Sequence, residues 1–282
     1  MQQLEGNAQK AIEMFQTCIN AQDELKAIHN VCTWDMLWSY AIQCNWKKAS
    51  ECALFLHENC AWSKSTNLYQ WACFQYMIME EENKPELLPK IQEAMKAVPE
   101  FKRRFAGRSI PPEKYAITKA LAFQNPDSHS YNKMTLPAFE LFYIWNIFGN
   151  IGEKKEILNP LLKRIDRKLQ QLQFSEDHFV LLLLKGVCQR NIGDHDSSID
   201  CFLEILNREK EIRYVTYIPP HAALELGISY LAVGRYEDAN TWLEKARDHY
   251  KGFLVESLVH LRIHGAMQRV KQAMKHSKST DK

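Results

Sequence analysis

The chain has 282 residues, 46% of them hydrophobic and 25% charged, with a formal net charge of +2. That balance predicts no nucleic-acid partner; the opening residues lack a secretory pattern, and the longest apolar runs, at 179–184 and 140–149, fall well short of the roughly 20 residues of a membrane span. Eight cysteines with no CxxC pair read as reduced, buried thiols of a cytoplasmic protein.

Ten glycines, ten prolines and few β-rich runs predict an all-α chain. In chain order, GNAQKAIEMF at 6–15 reads as the second half of a helical hairpin, with Gly6 at the turn and Ala11 and Phe15 on one face. The face Ala11, Ile12, Phe15, Cys18, Ile19 needs a neighbour. Only five residues precede Gly6, so we expect further repeats before Met1, packed on residues 7–22, and a chain that is a fragment or short isoform. Residues 30–63 form a hairpin with Tyr40 at position 11 and Ala49 at position 20 of a two-helix unit of about 34 residues. A weaker unit covers 65–99, with Ala94 and Pro99 at positions 27 and 32.

Residues 100–136 break the period and hold one short helix, started by Pro112, and a polar loop at 125–134. A degenerate unit follows at 137–172, with Gly152 at its turn and both helices longer than standard. The 181–206 unit places Gly186 at position 8, Ser198 at 20 and Phe202 at 24. The clearest unit is 220–253, with Gly227, Tyr230, Ala239 and Ala246 at positions 8, 11, 20 and 27, the tetratricopeptide pattern. The expected fold is therefore an all-α superhelix of tetratricopeptide-type hairpins, a solenoid. Its predicted parts are incomplete N-terminal repeats over 1–99, an insertion over 100–136, C-terminal repeats over 137–264 and a basic, disordered tail over 265–282.

The blocks LKAIHNVCTWDMLWSYAIQCNWKKA (25–49), KRRFAGRSIPPEKYAITKA (102–120), LFYIWNIFG (141–149), LLLLKGVCQRNIGDHDSSIDCFLEIL (181–206) and HAALELGISYLAVGRYEDA (221–239) together resemble the tetratricopeptide repeat protein 39 family. The AGRSIPPEKYAITKA stretch is the most specific, since the generic repeat does not require it. The resemblance implies a C-terminal half, non-enzymatic adaptor or scaffold proteins, and relatives associated with lipid homeostasis and ciliary processes. It supplies no catalytic residues and no cofactor.

Other constellations weigh less. His29 with Cys32, and His57 with Cys60, share helical faces, but zinc needs all four to converge. His260 and His264 have metal-pair spacing without an intervening glutamate. GDHDSS at 193–198 reads as a turn and helix cap. Lys102, Arg103, Arg104 and Arg108, with the tail at 269–282, are basic patches suited to peripheral membrane contact or solvated faces.

First helices of such repeats line a groove through positions 2, 5, 9, 12 and 13. The candidate protein-binding residues are Trp34, Trp38 and Ile42 in the 30–63 unit, Arg190 and Asn191 in the 181–206 unit, and His221 and Ile228 in the 220–253 unit. The groove lacks the repeated Lys and Asn set that clamps a C-terminal carboxylate. An apolar helix or extended segment is the expected ligand. Two readings stay open for its aromatics: they meet an external partner, or they are filled from within by the missing half or the chain's own C-terminal helix. The expected function is a non-catalytic protein-interaction scaffold; the alternative is a lipid- or membrane-associated regulator.

Overall fold

The computed structural model describes residues 7–21, 25–103, 110–172 and 175–280. Gly6, Arg104 and Arg108, and the start of the AGRSIPPEKY stretch, lie outside them. All regular structure among the described residues is helical, as the periodicity predicts. The chain forms two compact units, 1–157 and 158–282.

In the first unit, α1 (Ala8–Asn20), α2 (Lys26–Ile42), α3 (Trp46–Asn59) and α4 (Lys64–Glu81) pack each on the next. Asparagines start two of them: the Asn7 side chain accepts from Lys10 N at 3.1 Å, and the Asn45 side chain from Lys48 N at 3.2 Å. Each satisfies a donor that the first helical turn leaves open. α5 (Leu88–Ala97) and α6 (Pro111–Gln124) follow. Within the 100–136 segment, α6 packs on α4 and α5. Gln124 Nε2 donates to Met95 O at 2.7 Å. Lys119 Nζ meets the Glu140 carboxylate at 2.9 Å, with both side chains largely buried.

The degenerate unit departs from expectation. Its first helix is broken into α7 (Pro137–Ile144) and α8 (Ile147–Ile151). Asn146 between them has φ +55°, a left-handed conformation through which a right-handed helix cannot run. The second helix, α9 (Lys155–Gln171), carries the boundary between the units near its start and buries Leu158, Leu161 and Ile165. The core of the first unit is aromatic. Trp46 stacks on Phe74 at 6.2 Å and tilts against Phe139 and Phe142, while Phe142 meets Phe148 edge-on.

In the second unit α10 (Asp177–Ile192) pairs with α11 (His195–Asn207), and α12 (Ile218–Ala232) with α13 (Tyr236–Asp248). Glycines set how closely the paired helices approach. A Cβ on Gly186 would sit 2.6 Å from the Phe202 ring, and one on Gly227 would sit 2.7 Å from Leu243. Both contacts join repeat positions 8 and 24. In the α2–α3 hairpin the same positions hold Leu37 and Ala53, both fully buried, so the large and small partners are exchanged. The expected disordered tail is not what 265–280 forms. α14 (Glu256–Thr280) runs through it, because Val259, Ile263, Ala266 and Val270 make an apolar stripe that is buried. α14 lies against α12 and α13 as α12 lies against α10 and α11.

Candidate functional site

The residues proposed for the groove fall in both units, and each set has its own surroundings. In the first unit, α2 carries positions 2, 5, 9 and 13 as Val31, Trp34, Trp38 and Ile42. Trp38 is only 3% exposed and Ile42 is buried too, so neither lines an open surface. The broken α7 explains this. Its Phe142 meets Trp38 at 6.3 Å, and Trp145, which follows it, sits 4.9 Å from Trp34 in an edge-on pair. The left-handed turn at Asn146 ends the helix there and leaves Trp145 half-buried. Trp34 is also half-buried, and Val31 is 63% exposed. Ile28 on α2, and Leu25 just before the helix, extend the exposed stripe. The open apolar surface is therefore Ile28, Val31, Trp34 and Trp145, shifted toward the start of α2 from the predicted one.

In the second unit the proposed residues belong to a charged interior. Glu225 on α12 has no exposed side-chain surface. Its Oε2 pairs with Arg190 Nη1 of α10, and its Oε1 pairs with Arg262 Nη2 of α14 at 2.5 Å. Arg190, expected to face a ligand, is 12% exposed at its side chain and is spent on this pair. Asn191 and Ile228 are half-buried. His221 is buried between Tyr217 and Phe253, with Nε2 3.4 Å from Leu254 O. Burial, with the Arg262 charge in support, pushes the His221 pKa down to about 4. It is an interior residue rather than a groove residue. The buried triad and Trp145 are what sequence reasoning missed. One signal existed for the triad: Glu225 is the one charged residue of the otherwise apolar stretch IPPHAALELGISYLA, and a lone charge in a buried helix calls for a partner.

A prediction follows from His221. The unfolded histidine takes up its proton near 6.5, the folded one only near 4. Between those values the unfolded state binds more protons, so stability present above pH 6.5 is lost as pH falls toward 4. The loss is of order 3 kcal/mol. Equilibrium unfolding from pH 7 to 4 should be steeper for the wild type than for His221→Asn; parallel curves would show that His221 titrates as it does in water.

The metal and catalytic constellations do not assemble. His57 Nδ1 lies 3.1 Å from Lys64 O and its ring packs on Phe101, while Cys32 faces the α1–α2 interior. His260 lies 3.7 Å from Glu256, and His264 is exposed. In GDHDSS, Asp194 caps α11 by accepting from Ser197 N at 3.2 Å, and Ser198 meets Ser229 at 3.1 Å. Among the described residues no group of three or more His, Cys, Asp or Glu is placed to hold a metal ion, and no helix is long and apolar enough to cross a membrane.

A family profile described as Iml2/Tetratricopeptide repeat protein 39 matches residues 1–192. The chain belongs to the Iml2/Tetratricopeptide repeat protein 39 family. A similar relative is "Tetratricopeptide repeat protein ttc-39B" of Caenorhabditis elegans, 30% identical over 267 residues. That match covers 94% of this chain and 45% of the relative, so the chain spans less than half the relative's length. The Iml2/Tetratricopeptide repeat protein 39 profile ends at α10, and the likeness to the relative extends over most of the rest. Membership of this tetratricopeptide family points to a protein-interaction scaffold.

Proposed function

We propose that the chain is a non-catalytic, cytosolic scaffold that seats an apolar helical or extended segment of a partner protein on Ile28, Val31, Trp34 and Trp145. The supporting observation is the half-buried Trp34–Trp145 pair beside an exposed Val31. Two rigid aromatics next to an open aliphatic side chain make the kind of anchor that dominates protein interfaces. The eight free cysteines agree with a reducing compartment. The half-buried Phe15 and Ile19 and exposed Met14 of α1 suit packing against a further helical segment.

The test places a photo-crosslinking residue at Val31 and, as a control, at the exposed Leu261 of α14. Crosslinking in cell extract should be saturable at 31 and weak at 261. Trp145→Ala should reduce it by at least about tenfold, the effect of losing one anchoring aromatic. Equal labelling at both positions would rule the surface out.

A second reading rests on a different place. Arg103 Nη1 donates to Ala61 O at 2.8 Å, which sets a cation beside Trp62, 54% exposed. A cation next to an exposed tryptophan suits the surface of an anionic membrane and a lipid-associated role. Flotation with phosphatidylserine vesicles tests it: wild type should float and Trp62→Ala should not, whereas sedimentation of both removes this reading.

A further inference from the structure

We propose that the second unit holds a binding cavity for a planar aromatic ring, a tyrosine or tryptophan side chain of a protein partner, which stacks on the guanidinium of Arg208. The cavity measures about 470 Å³ and lies where the start of α10 meets the end of α11. That size falls among small-ligand sites, roughly 300–1,000 Å³. Leu172 and Phe179 give it apolar walls, and Glu176, His178, Arg208 and Glu211 its polar ones.

The polar walls are held in place by bonds they already make. Glu176 accepts the backbone N–H groups of Arg213, Tyr214 and Val215 at 2.8, 2.8 and 3.2 Å. Glu211 takes Nε and Nη2 of Arg208 at 3.0 and 2.7 Å. Glu204 Oε1 takes Arg208 Nη1 at 3.3 Å and also lies 3.0 Å from His178 Nε2. All three guanidinium nitrogens are therefore engaged at their edge, and a planar fork bonded in this way keeps one orientation. One of its faces covers the buried Phe179 ring, with Cζ 5.0 Å from the ring centroid. What Arg208, 44% exposed at its side chain, still offers is the other face. The electron-rich face of an aromatic ring is the natural complement to that of a cation. The charges select a neutral ring over an ion. Glu176, Glu204 and Glu211 oppose an anion, and an ammonium would have to share carboxylates that are already bonded. A neutral ring disturbs none of these bonds, and Leu172 supplies apolar surface for it to cover.

The experiment titrates the full chain, with isotope-labelled leucine methyl groups, and follows the Leu172 methyls by NMR. The probes are N-acetyl-tryptophanamide, N-acetyl-tyrosinamide, N-acetyl-leucinamide and N-acetyl-lysinamide. The two aromatic probes should give saturable shifts in the millimolar range, and the leucine and lysine probes should bind at least about fivefold more weakly. Arg208→Lys keeps the charge and loses the planar face, so it should weaken binding of the tryptophan probe by a similar factor. Equal binding of the leucine probe would mean that the cavity is filled by any apolar group. Equal or tighter binding of the lysine probe would mean that its carboxylates read a cation. Either result, no saturable shift, or an unchanged affinity in Arg208→Lys would overturn the proposal. Should Arg208→Lys fail to fold, the ranking of the four probes on the wild type decides alone.

Discussion

Replacing Glu225 with alanine is expected to lower the stability of the second unit by about 3 kcal/mol, and replacing Arg190 and Arg262 together with methionine by about 5 kcal/mol. The order follows from exposure. Without Glu225, two cations remain whose side chains are 12% and 28% exposed, and their long stems let the charged ends reach water. Without the arginines, a carboxylate with no exposed surface loses both cations it pairs with and takes up a proton instead. The triple change Arg190→Met, Glu225→Leu, Arg262→Met should recover most of the loss, since apolar groups that fill the same volume avoid the cost of burying charge. Hydrogen exchange of the α12 amides reads all three. Glu225→Ala should reduce protection on the order of a hundredfold. A change under about threefold would mean that the three charges are already solvated.

The second large effect concerns the exchanged packing pair. Gly227→Leu should destabilise the α12–α13 hairpin by about 3 kcal/mol or more, because even a Cβ there lies 2.7 Å from Leu243 and 3.2 Å from the Ala239 carbonyl. Adding Leu243→Ala should return a substantial part of that loss, although Leu243→Ala alone costs about 2–5 kcal/mol. The double variant would then carry the arrangement that Leu37 and Ala53 already have in the α2–α3 hairpin. The coupling is measured by a double-mutant cycle in urea. Additive single effects would show that positions 8 and 24 do not share one space.

The hairpins were legible because small and large residues recur at fixed offsets, and a repeating unit prints its own period. What the repeat does not encode was harder to see. Asparagine is enriched in the left-handed region, but most asparagines do not adopt it, so the break at Asn146 that delivers Trp145 to Trp34 stayed hidden. The groove residues on α2 were placed by their repeat positions alone. Those positions do not reveal that Trp38 is buried, because Phe142 and Trp145, which cover it, arrive from beyond a segment with no periodicity. Arg190 was read as a groove residue from its repeat position; its carboxylate lies 35 residues further on, and pairing at that range leaves no periodic trace. The 265–280 stretch was misread as a tail because its charged residues are interleaved with a stripe whose burial depends on α12 and α13.

The pairing of each helix with its chain neighbours also governs the order of assembly. Hairpins such as α10–α11 and α12–α13 close short loops, so they form early and at little entropic cost. The Arg190–Glu225–Arg262 triad reaches from α10 to α14 and comes together only after those hairpins are in place. Interactions absent from the folding transition state act on the rate of unfolding. The triad is therefore a latch on the exit path: removing it should speed the opening of the second unit while leaving its rate of folding nearly unchanged.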